Sequence, residues 1–136
     1  MIALTDQPIA VADVIAAVQS ERAGAVDVFI GVVRNHSQSK NVVRLEYEAY
    51  DAMALKKMRE LAADAKMRWP VEKIALVHRK GVLQVGEVAV VVAVSTPHSK
   101  EAFEACQYLI DTLKEVVPIW KKESYEDGET WIAAHA

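Results

Sequence analysis

Cysteine is almost missing from this sequence: Cys106 is the single one. No disulfide can form within the chain, and the count suits a reducing compartment. One Cys and four scattered His residues do not assemble a zinc site, so neither metal nor cofactor is expected. Long apolar runs are absent too. The longest, Val88 to Val94, is far too short to span a bilayer. The first residues lack a basic stretch followed by an apolar one, so no signal peptide is expected. There is no basic excess. The formal net charge of −3 argues against a nucleic-acid binder, because such domains are usually strongly basic. Repeats, linkers and low-complexity tracts are also lacking. These absences together point to a cytoplasmic protein without membrane or nucleic-acid partners.

What is present suits a packed core. The 136 residues are 52% hydrophobic and 26% charged, which fits one domain over residues 1–136. Residues 1–5 predict a short strand. Val11, Val14, Ile15 and Val18 recur at helical spacing and predict a helix over roughly residues 10–20. Residues 25–33 read as a strand with Val26, Val28, Ile30 and Val32 on one face. Residues 34–41 hold no apolar side chain and predict a loop. Residues 42–49 alternate, with Val43, Leu45 and Tyr47 opposite Arg44, Glu46 and Glu48. A helix over 51–68 carries Leu55, Met58, Ala62, Ala65 and Trp69 as its buried stripe, and Pro70 stops it. Residues 73–79 form a strand, and Gly81 and Gly86 mark turns. Residues 87–95 predict a strand buried on both faces. A third helix covers 99–117 until Pro118. The strands 119–125 and 129–134 flank a hairpin signal at Glu126-Asp127-Gly128. The order β-α-β-β-α-β-β-α-β-β predicts an α+β fold with a mainly antiparallel sheet and about three helices.

Charge then singles out candidate site residues. On the third helix the apolar side chains fall in one arc, and Lys114 lies about 20° from Phe103, at the edge of that arc. Partial desolvation there would lower its pKa and fit it for acid, base or nucleophilic work. The plain alternative is a lysine whose stem lies on the core while its head reaches water. Trp120 and Lys122 share one face of the next strand, with Lys121 on the other. Arg34 and His36 open the polar loop after a strong strand, where function often resides. His98 and Lys100 flank the start of the third helix, whose free N–H groups favour an anion, and Thr96 or Ser99 could cap it. Cys106 sits inside the apolar arc as a core residue, not a catalytic thiol.

Several ordered segments resemble one family. Phe29-Ile30-Gly31-Val32-Val33-Arg34-Asn35-His36 resembles its F-x-G-x-V-R-N-H segment. Arg68-Trp69-Pro70, then His78-Arg79 and Gly81, resemble its R-W-P and H-R-x-G elements. Ser95-Thr96-Pro97-His98, Leu113-Lys114, Pro118, Trp120-Lys121, Glu123, Gly128 and Trp131 continue the match. The family is the large (catalytic) subunit of molybdopterin synthase, and the resemblance runs from about residue 10 to the end.

The resemblance implies an α/β-hammerhead-like fold and a sulfurtransferase. Sulfur would pass from the C-terminal thiocarboxylate of a small ubiquitin-like subunit to cyclic pyranopterin monophosphate, forming the dithiolene of molybdopterin. It also implies a homodimer at the centre of a heterotetramer. Lys114 and Lys121 match the family's catalytic lysines. Arg34 and His98 match substrate-pocket positions, and Phe29 with Ile110 falls in the channel for the partner's tail. Two departures stand out. Where the family has Arg after the His at position 98, this chain has Ser99, with Lys100 one step on. His135 occupies the place of a basic residue that reaches the neighbouring subunit's pocket. Lys100 and His135 are therefore the expected substitutes. A non-catalytic module that captures a protein C-terminus or a phosphorylated metabolite is the competing reading.

Overall fold

The computed structural model describes residues 1–37, 40–126 and 128–133. In chain order the elements are β1 (Ile2–Thr5), α1 (Val11–Ala17), β2 (Ala25–Val32), β3 (His36–Ser37), β4 (Lys40–Ala49) and α2 (Asp51–Arg68). They continue with β5 (Lys73–Arg79), β6 (Gly81–Gln84), β7 (Val88–Thr96), α3 (Ser99–Val116), β8 (Ile119–Tyr125) and β9 (Gly128–Ala133). The expected α+β class and the three helices are present. The strands form two sheets. The first has the order β1-β5-β7-β2, and the second runs β3-β4-β8-β9 with β6 on the other side of β4. Among the described residues only β1 and β5 pair in parallel; the remaining ladders are antiparallel.

Two short strands escape the sequence pattern. His36–Ser37 folds back on β4, with His36 opposite Asn41, although the segment has no apolar residue. Its backbone pairing needs no side-chain pattern. Gly81 adopts φ 95° and opens β6, which pairs with β4 through Leu45 and Leu83. A four-residue strand is too short to announce itself by alternation.

The helices begin and end for local reasons. Asp51 in the first turn of α2 and Lys66 with Arg68 in its last turn complement the helix dipole. Pro70 and Pro118 force the residues before them into extended backbone. Trp69 accordingly ends α2 at φ −132°, ψ 156°, and Val117 ends α3 at φ −86°, ψ 124°. At its other end α3 is preceded by His98, with no side-chain cap. The expected cap by Thr96 or Ser99 does not form, because the Thr96 hydroxyl donates to the His98 carbonyl instead, at 2.6 Å.

Both sheets and the two long helices share a core. Met58, Leu76, Leu83, Leu109 and Leu113 are fully buried there. Each such side chain stabilises the fold by roughly 1.5–3 kcal/mol relative to exposure. The stripe of α2 is Ala54, Met58, Leu61 and Ala65, turned slightly from the expected one. A clamp joins α2 to α3. The Tyr108 hydroxyl donates to the Asp64 carboxylate, which also pairs with Arg68 at 3.0 Å, and the Arg68 guanidinium lies 4.5 Å from the Tyr108 ring centre. On the opposite face of the first sheet, α1 covers Ala75, Val77, Val91 and Ala93. It is shorter than expected and leaves the edge strand β2 open. Val26, Ile30 and Val32 are therefore exposed at 44%, 42% and 56%, although their spacing reads as a buried face.

Candidate active site

The strand β4 carries a bulge that matters for the site. Val42 lies opposite Tyr125 and Arg44 opposite Ser124, so Val43 is the extra residue. The bulge buries Val42 and turns Val43 outward, against the simple alternation. Beyond it, Leu45 and Tyr47 point inward opposite Glu123 and Lys121 of β8. Those four side chains, with Val32, Arg34 and Val42, line a partly open cavity of about 80 Å³.

Lys121 is the dry lysine. Its side chain is 14% exposed, and its Nζ lies 3.7 Å from a carboxylate oxygen of fully buried Glu123. Burial is the largest influence and pulls its pKa below the ordinary lysine value. Glu123 pulls it back up, whereas the positive charges of Arg34 and Lys114 push it down. The three cations therefore share one electrostatic neighbourhood. Tyr47 is buried beside them, and burial, with the Glu123 charge second, raises its hydroxyl to about 12. Behind Tyr47 stands His78, with its ring edge-on at 5.0 Å between centroids.

Lys114 stands differently. It is exposed, which corrects the expectation of a partly desolvated amine. The buried arc of α3 is Ala102, Ala105, Cys106, Leu109, Ile110 and Leu113. Phe103 is 63% exposed, so the edge of the arc hangs over a groove and not over the core. That groove, about 350 Å³, runs between α3 and β2. Phe29, Phe103 and Ile110 form its apolar wall, with Lys114 beside them. Asp27 and Asp111 also line it. Cys106 lies at the groove floor as a core thiol; burial first, and Asp27 next, push it up to about 12. It stays protonated, as expected of a residue without a nucleophilic role.

The structure thus brings Arg34, Lys114 and Lys121 together and puts Phe29 and Ile110 in the groove next to them. His98 and Lys100 do not join them within one chain. They are exposed at the far end of α3, with His98 about 24 Å along the helix axis from Lys114. His135 lies outside the described residues. Tyr47 and Glu123 escaped assignment by sequence, although Leu45-x-Tyr47 and Lys121-x-Glu123 each put two side chains on one strand face. Among the described residues no three His, Cys, Asp or Glu side chains gather to hold a metal, and no helix is long and apolar enough to cross a membrane. A shallower hollow of about 480 Å³ beside Gln19, Glu21 and Val26 has no cation in its lining.

A half-dry cluster of cations with one buried carboxylate can hold an anion and move a proton at neutral pH. A groove walled by Phe29, Phe103 and Ile110 lies beside Lys114. An α+β scaffold that carries such a cluster has the equipment of an enzyme acting on an anionic substrate. Comparison with known proteins narrows that class. The family model described as MoaE protein matches residues 4–116. The molybdopterin synthase catalytic subunit of Bacillus subtilis is 48% identical over 129 residues, covering 95% of this chain and 82% of its own. That of Halalkalibacterium halodurans is 47% identical over 130 residues, covering 96% and 83%. The crystal structure of molybdopterin synthase from Staphylococcus aureus superposes with a TM-score of 0.91 at 42% identity, covering 95% of this chain and 94% of that one. The chain belongs to the MoaE protein family.

Proposed function

We propose that this chain is the catalytic subunit of a molybdopterin synthase. It transfers sulfur from the C-terminal thiocarboxylate of a small ubiquitin-like subunit to cyclic pyranopterin monophosphate, in the cytoplasm. The observation that carries this reading is the gathering of the Arg34 and Lys114 charges around half-buried Lys121, with a groove walled by Phe29, Phe103 and Ile110 beside Lys114. A peptide tail fits the groove, with Phe29 and Ile110 against its stem. Its terminal thiocarboxylate then meets Lys114, the group nearest the reacting carbonyl. Arg34 holds the anionic part of the pterin. Lys121 stabilises developing negative charge and exchanges protons, a task for which its lowered pKa suits it. The sulfur donor arrives with the partner, which agrees with the inert Cys106.

His98 and Lys100 serve this substrate from a second copy of the chain. The open face of β2, carrying Val26, Ile30 and Val32, supports self-association. The deciding experiment mixes the purified chain with precursor and thiocarboxylated small subunit and assays the dithiolene product. Product that forms with wild type and is lost in both Lys114→Ala and Lys121→Ala supports the assignment. Full activity in both variants refutes it, and binding of either ligand without product favours a passive binding module.

A further inference from the structure

Arg34 leaves the end of β2 as an exposed side chain, so its aim depends on what holds the backbone before it. The preceding residue, Val33, is buried and held on both sides. Its N–H donates to the Glu87 carbonyl at 3.0 Å, and its carbonyl accepts from the Gly86 N–H at 2.7 Å. Both partners belong to the turn between β6 and β7. Gly86 takes φ 89° there, a conformation that other residues rarely adopt.

The Glu87 N–H closes this turn on the Gln84 carbonyl at 3.1 Å, and the Glu87 carboxylate braces it further. One oxygen of Glu87 accepts the Gln84 N–H at 2.8 Å, and the other accepts Arg79 Nη1 at 2.5 Å. These donors hold the Glu87 carboxyl below its usual pKa. The Arg79 side chain is 11% exposed, and Glu87 is its one ion-pair partner among the described residues. The ladder between β5 and β7 ends at His78 opposite Val90. Arg79 and Glu87 lie beyond that last pair, so the ion pair is not required to align the strands.

We infer that Arg79 and Glu87 are positioning residues, which act through the Gly86 turn and Val33 to aim Arg34 into the cavity beside Lys121. The inference rests on the reading that Arg34 binds the anionic part of the substrate. It makes the pair a determinant of grip on the pterin rather than of chemistry.

The test compares Glu87→Ala, Arg34→Ala and the double variant, assayed with cyclic pyranopterin monophosphate and thiocarboxylated small subunit. Glu87→Ala should raise KM for the pterin roughly tenfold, with kcat changed much less. In the double variant it should add nothing to the effect of Arg34→Ala. The Val33 amide hydrogen should exchange faster with solvent in Glu87→Ala. If Glu87→Ala folds poorly, Glu87→Gln, which keeps an acceptor for Gln84, takes its place. An unchanged pterin KM beside an impaired Arg34→Ala would overturn the inference, as would effects that multiply in the double variant. A normal KM in Arg34→Ala itself would remove Arg34 from the substrate, and the functional reading of that residue would fall first.

Discussion

Lys114 and Lys121 are close enough to feel each other's charge, yet they stand in opposite surroundings. Lys114 projects from a helix into an open groove walled by Phe29, Phe103 and Ile110. Lys121 projects from a strand into a cavity about a quarter as large, against a buried carboxylate. The groove is the larger and more open space, at about 350 Å³. The cavity, at about 80 Å³, has the more buried lysine in its lining. The same side chain therefore stands in two environments: burial disfavours one ammonium, and the other is exposed to water.

The largest test of that contrast removes each amine. Lys121→Ala and Lys114→Ala should each lower dithiolene formation by about 10²–10⁴-fold while far-ultraviolet circular dichroism remains that of the wild type. A second test measures how dry the cavity wall is. Burial pulls His78, behind Tyr47, down to about 4 against the hydrogen bond it gives to the Arg79 carbonyl. The unfolded chain takes up that proton near the ordinary value of 6.5, so it binds more protons than the folded chain between these two pH values. Stability should then be full above pH 6.5 and fall by on the order of 3 kcal/mol as pH drops toward 4. Urea unfolding at several pH values should show this slope in wild type and a flatter one in His78→Gln.

A third test separates the two regions by ligand. Phe29→Ala should raise KM for the small subunit about tenfold, the expected cost of losing an apolar contact of this size, and leave KM for the pterin near wild type. Arg34→Ala should do the reverse. Equal effects on both ligands would merge groove and cavity into one site. The smallest effect concerns Glu123, whose charge supports the Lys121 ammonium. In Glu123→Gln the alkaline limb of kcat/KM should move to lower pH by about one unit or less.

Much of this molecule is legible from its residues. The long helices stop where Pro70 and Pro118 require, and β7 is buried on both faces as its Val/Ala run predicts. The ordered cations Arg34, Lys114 and Lys121 were identifiable by resemblance, but their surroundings were not. The helical wheel put Lys114 at a core boundary; the boundary there faces a groove. Alternation gave β2 a buried face, yet α1 stops short of it. A bulge at Val43 reversed the expected burial of Val42 and Val43. Tyr47 and Glu123 met only because β4 and β8 pair in one register.

By itself, the amino-acid order determined the periods of the helices and main strands, where the helices break, and that the one thiol belongs to the core. Periodicity records which side chains share a face. It does not record what covers that face, since the cover comes from residues distant in sequence. The tertiary structure alone decided which lysine is dry, where Arg34 is anchored, and that His98 and Lys100 stand at the far end of α3, because each depends on pairing between separated segments.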